Sequence, residues 1–152
     1  MGALLARAPA ITRDAILAEA RDWLGTPWRH RASEKHAGVD CLGLLRGVWR
    51  AVIGPEPEAL PDYSPAWDEP GRELLLLALG RHFVNVARAD ARPGDLLVFR
   101  MAPGAPAKHV AVLEHGGRII HAYWARAAVE SRLAPWWRDR LAAAFSFPGV
   151  SA

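Results

Sequence analysis

Apolar positions in the first third of the sequence recur at helical spacing. Thr12 precedes a stretch in which Ile16, Leu17, Ala20, Trp23 and Leu24 fall on one face and Asp14 lies in the first turn. That pattern predicts a capped helix, ended by Gly25-Thr26-Pro27. A second stripe runs through Cys41, Leu44, Leu45, Val48, Trp49 and Val52, with Asp40 as a good N-cap and Gly54-Pro55 as a stop. Residues 28–39, between the two, are polar, cation-rich and without period, the mark of a loop of functional length. Residues 55–70 hold five of the twelve prolines. Leu60, Tyr63 and Trp67 give that segment anchors, so it reads as an ordered surface connection. A third, short helix is predicted over 71–82, burying Leu74, Leu75, Ala78 and Leu79.

From residue 83 the period shortens to two. Strands are predicted over 83–87, 96–100, 109–114, 119–124, 129–132 and 143–147. Arg92-Pro93-Gly94-Asp95 turns into the second of these, and His115-Gly116-Gly117-Arg118 joins the third to the fourth. An amphipathic turn is expected around Trp136-Trp137. Helices first and antiparallel strands after them make the fold class α+β, with N-terminal helices packed on a mostly antiparallel β-sheet. At 152 residues the chain reads as one domain, 1–152, with residues 1–11 a loose N-terminal arm.

Composition narrows the classes of function. Hydrophobic residues are 51% and charged residues 23% of the chain, which excludes a disordered sequence. No apolar run nears the roughly 20 residues of a spanning helix, so no membrane insertion is expected. The net charge of +3 is spread without a run or stripe of cations, so no nucleic-acid partner is expected. A single cysteine excludes an intrachain disulfide. The opening residues have no basic n-region, and Arg7 breaks their apolar stretch, so synthesis in the cytoplasm without a signal peptide is expected.

That one cysteine is the most informative residue. Cys41 stands in the first turn of a predicted helix, where free N–H groups and a partial positive charge favour a thiolate and can receive an oxyanion. A nucleophile there needs a base. His109 opens a predicted strand whose alternation puts Ala111 on its face and Val110 and Val112 on the other. His121 lies on the partner strand. A hairpin centred on Gly116-Gly117 pairs residues whose numbers sum to about 233, which sets His121 opposite about residue 112 and diagonal to His109. From there it can accept a hydrogen bond from His109 and fix its tautomer. His30, His36, His82 and His115 have no such pattern and read as surface or loop residues. His30, His36 and Cys41 match no closed zinc pattern, so no metal is expected.

Five motifs in order carry a family resemblance: Gly25-Thr26-Pro27-Trp28, Asp40-Cys41-Leu42-Gly43-Leu44, Arg92-Pro93-Gly94-Asp95-Leu96, Lys108-His109-Val110-Ala111-Val112 and Ile120-His121-Ala122. Together they span roughly residues 12–125 and resemble the NlpC/P60 cysteine peptidases of papain-like fold, which cut the stem peptides of peptidoglycan. The resemblance implies Cys41 as nucleophile, His109 as base and His121 as the group that orients it, with no cofactor. It implies substrate contacts at Trp28 and Asp40, and typically cleavage between a γ-D-glutamyl residue and a diamino acid. Residues 32–36, Arg46-Gly47-Val48-Trp49 and Trp136-Trp137-Arg138 resemble the phage-tail and gene-transfer-agent members. Those imply tail-tip or baseplate partners and delivery of a cytoplasmically made protein to the periplasmic cell wall. Departures from the family pattern are Trp28 in place of a common Tyr, Leu42 in place of Ser, Gly38 alone where a Gly pair is usual, and Lys108 in place of Gly.

Two other readings follow from the same residues. One is a non-catalytic tail-tip adaptor that docks through Trp67, Trp136 or the proline-rich segment. The other is amidase or acyl-transfer chemistry on the same fold.

Overall fold

The computed structural model describes residues 11–58, 73–124 and 126–150. Helix α1 (Arg13–Asp22) is capped by Thr12, whose side chain accepts from the Ala15 N–H at 3.0 Å. Ile16, Leu17 and Ala20 face inward and Trp23 is buried just beyond, whereas Leu24, expected on the same face, is exposed. The 28–39 segment is more ordered than its composition suggests. It contains a two-stranded antiparallel ribbon, β1 (Ser33–Glu34) with β2 (Gly38–Val39). Helix α2 (Cys41–Val52) starts where the capping aspartate predicts. In α3 (Leu74–His82), Leu75 and Leu79 are buried, Ala78 is half-buried and Leu74 is exposed. The expected arm before residue 11, and the anchors Leu60, Tyr63 and Trp67, lie outside the described residues.

Six strands follow: β3 (Val84–Val86), β4 (Leu96–Arg100), β5 (Ala107–Glu114), β6 (Arg118–Ala122), β7 (Ala128–Arg132) and β8 (Leu141–Ser146). They form one sheet in the order β3-β8-β4-β5-β6-β7, every pair antiparallel. The predicted α+β class and its layering hold. The helices cover one face, where Val98, Val110, Val112 and Ile120 meet Ile16, Leu44 and Val48. The other face carries Leu97, Phe99, Ala111, Leu113 and Ile119, closed by Trp137 from the short helix α4 (Pro135–Arg138).

Two polar clamps, each ending on a buried carboxylate, fix α1 to the sheet. Asp95 accepts from Arg13 at 2.6 Å, from Ser146 Oγ at 2.7 Å and from the Arg92 N–H at 2.8 Å. Arg21 donates through two nitrogens to Glu114, at 2.7 and 2.8 Å. These contacts set the distance between the helical layer and β4–β5, the strands that carry the candidate site.

Candidate active site

The site begins at the N-terminus of α2. The Asp40 carboxylate accepts from the Gly43 N–H and from the Arg31 N–H, both at 2.7 Å. It therefore caps the helix and ties down the loop before it. Gly43 has a local reason to lack a side chain, since a Cβ there would stand 1.8 Å from Ala32 O. Parallel bridging of Trp28 to Val39 brings the 28–39 segment alongside. Trp28 is half-buried and stacks on Trp124 at 5.5 Å and on His30 at 6.4 Å, so His30, read from the sequence as a bare loop residue, belongs to an aromatic row.

Cys41 packs against β5. Its sulfur donates to Lys108 O at 3.6 Å, and its surroundings include the N–H groups of Val110, Leu42 and Cys41 itself. Burial, and after it the neighbouring Asp40 carboxylate, push the thiol up to about 12, against the pull of those N–H groups. The thiolate expected from the helix terminus is thus outweighed by desolvation, and the resting group is a thiol.

His109 and His121 come together as hydrogen-bonded rings, Nε2 of the first 2.8 Å from Nδ1 of the second. The register that does this differs from the expected one. Val112 pairs with Ile120 and Glu114 with Arg118, so the sums are 232 and the loop is three residues, with Gly116 and Gly117 at φ 74° and 67°. Directly opposed residues of an antiparallel pair share a face. A sum of 233 would put His121 on the face of Val112, away from His109, whereas 232 continues to Ala111, on the face His109 uses. Burial, then the charge of His121, holds His109 well below the ordinary imidazole value, and burial brings His121 down to about 4.

Three further residues surround the pair, and none of them was assigned to the site from the sequence. Ser131 Oγ lies 3.0 Å from His121 Nε2. Trp137 stacks on His109 at 5.1 Å and meets His121 edge-on at the same distance, and Tyr123 packs edge-on to His109 at 5.8 Å. Ser131 and Trp137 are distant in sequence and arrive through strand pairing and the α4 turn, which periodicity does not encode. Among the described residues His109 Nδ1 makes no hydrogen bond, and Cys41 is not bonded to the ring. Sulfur and imidazole therefore share one stretch of β5 without being linked.

The match to known proteins follows this geometry. The profile of the NlpC/P60 family covers residues 25–145, from the turn before Trp28 through most of β8. The chain belongs to the NlpC/P60 family. The solved NlpC/p60 domain of the peptidoglycan hydrolase SagA is 25% identical, with a TM-score of 0.67, and the alignment covers 90% of this chain and all of that one. RipD of Mycobacterium tuberculosis, described as a non-catalytic NlpC/p60 domain protein adapted to peptidoglycan binding, shares the fold at 15% identity and a TM-score of 0.56, over 90% of this chain and 96% of that one. A curated Escherichia coli (strain K12) protein, Cytochrome b561 homolog 2, is 38% identical over 76 residues, 43% of this chain. This NlpC/P60 chain spans 40% of that relative's length, too small a share to show a family. No helix among the described residues is long and apolar enough to cross a membrane.

Proposed function

We propose that this NlpC/P60 protein is a single-domain thiol endopeptidase that cuts peptidoglycan stem peptides, at the bond between a γ-D-glutamyl residue and a diamino acid. The observation that carries the reading is the buried 2.8 Å bond between His109 Nε2 and His121 Nδ1, which leaves His109 Nδ1 to a thiol. Rotation of the Cys41 sulfur away from Lys108 O toward that nitrogen completes a Cys-His-His site. Because thiol and imidazole both rest neutral, Nδ1 takes the proton as the sulfur attacks the scissile carbonyl, not beforehand. Helix N-terminal N–H groups receive the oxyanion, and the His109 imidazolium returns its proton to the leaving amine. Water, deprotonated by His109, then hydrolyses the thioester and frees Cys41. Trp28 forms a wall of the substrate cleft and Asp40 positions Cys41 near the substrate's amino end. The sequence resemblance supports a cytoplasmically made component of a phage-like tail, with tail-tip or baseplate proteins as partners and the periplasmic wall as target.

One observation favours a second reading, the binding-only role described for RipD: the sulfur is bonded to a carbonyl and not to His109. A digest of purified Gram-negative muropeptides, wild type beside Cys41→Ala and read by mass spectrometry, decides between them. New products from wild type alone are expected, with masses that identify the bond. Equal digestion by both proteins sinks the thiol mechanism, and binding without products supports the adaptor.

A further inference from the structure

Beside the histidine pair, on the face away from the α1–α2 layer, lies a cavity of about 310 Å³. That is the small end of ligand pockets, about 300–1,000 Å³, and suits one functional group with the residue that bears it. Its polar side chains include Arg126, Ser131, Tyr123 and His121. Arg126 is exposed at the rim and makes no ion pair among the described residues. Ser131 Oγ stands 3.0 Å from His121 Nε2; in the tautomer that leaves His109 Nδ1 as the acceptor, Ser131 accepts from the His121 Nε2–H and keeps its own hydroxyl proton for an acceptor in the cavity. Among the described residues no Asp or Glu lines the space, and Glu130, the neighbouring acid, alternates to the other face of β7 and pairs with Arg118 at 3.3 Å. Tyr123, Trp136 and Trp137 supply flat walls. Trp136 is held from outside by the Arg140 guanidinium, 3.7 Å over its ring. A concave site with a guanidinium that has no ion pair among the described residues, a hydroxyl able to donate and no described acid in its lining is complementary to a carboxylate.

We propose that this cavity is a carboxylate subsite, in which Arg126 and Ser131 hold a free carboxylate of the peptide being cleaved. The inference rests on the peptidase reading and adds a preference to it: stem peptides with free acids over the same peptides amidated. The Cys41→Ala protein, which reads binding without turnover, is titrated with a stem tetrapeptide carrying free carboxylates and with its fully amidated counterpart. The free acid is expected to bind about tenfold more tightly. In the same background Arg126→Gln erases the difference, Arg126→Lys keeps part of it, and the Trp136 indole N–H resonance shifts with the free acid only. Equal affinities for the two peptides, a preference that survives Arg126→Gln, or no binding of either peptide overturns the subsite. Cleavage by the protein with Cys41 intact is scored separately. Discrimination in binding without any cleavage removes the peptidase reading and leaves the subsite standing.

Discussion

His121 Nε2 and Ser131 Oγ are 3.0 Å apart, so the serine hydroxyl can accept the proton at the outer end of the histidine pair. If His109 Nδ1 is to accept a proton, its Nε2 carries the hydrogen and donates to His121 Nδ1. His121 then carries its own hydrogen on Nε2 and donates to Ser131, so a single direction runs along the row. Ser131→Ala leaves the buried His121 Nε2–H without an acceptor, which costs about 1 kcal/mol of orientation, or roughly a fivefold fall in kcat. Nitrogen NMR of His121 is expected to show the loss of a single tautomer in that variant. An unchanged kcat with an unchanged tautomer shows that Ser131 orients nothing. Cys41, His109 and His121 could be singled out as candidates because they stand in spaced motifs. Ser131 could not, because it meets His121 only through the β6–β7 register, in which His121 faces Val129.

Helix α2 shows why an element can be placed from sequence while its fit cannot. The stripe and the aspartate cap located it to the residue, yet nothing in the pattern says why it carries Gly43 and Gly47. Each glycine costs the helix about 1 kcal/mol relative to alanine. The packing repays it: a Cβ at Gly47 would lie 2.0 Å from Cζ2 of Trp23, and one at Gly43 would strike Ala32 O. Gly47→Ala is expected to lower stability by about 1–3 kcal/mol through overpacking against α1, measured by urea unfolding. Gly43→Ala acts beside the cap, where Ser33 Oγ also donates to Gly43 O at 2.6 Å, so activity should fall further than stability does. Equal losses of both would place Gly43 outside the positioning of Cys41. The 28–39 segment escaped prediction for a related reason. Strands of two residues have no period of their own, and β1–β2 consists of just two residue pairs, Ser33 with Val39 and Glu34 with Gly38, flanked by the Arg29 N–H that donates to Val39 O at 3.0 Å. The misplaced β5–β6 register came from centring the connection between Gly116 and Gly117, whereas the three-residue loop centres on Gly116, and Leu24 and Leu74 sit at helix ends where the stripe outruns the core.

At the scale of the whole molecule, the buried histidines make stability depend on pH in a window of its own. The unfolded chain binds protons on His121 and His109 as pH falls below about 6.5, the ordinary histidine value. The folded protein refuses them, His121 until about 4 and His109 well below its ordinary value, because burial disfavours the charged rings. The unfolded state therefore holds more protons in that range, and stability falls as pH is lowered through it. His121 alone accounts for something on the order of 3 kcal/mol between pH 6.5 and 4. Glu114 acts lower down. The hydrogen bond from Arg21, and after it the backbone and charge contacts, hold its carboxyl below the usual value, so its contribution is present at neutral pH and is lost only as acid protonates it. Urea unfolding at pH 7, 6, 5, 4 and 3 separates the two. Wild type should lose stability steadily from pH 6.5 to 4, and His121→Gln, weaker at pH 7, should lose less over that interval. Arg21→Ala should lie below wild type by a margin that is widest at neutral pH and narrows only under more acid conditions than the histidine window. A wild-type stability that stays flat from pH 7 to 5 would mean that the histidine pair takes up protons in the folded protein, and the neutral His109 assigned to the resting site would go with it.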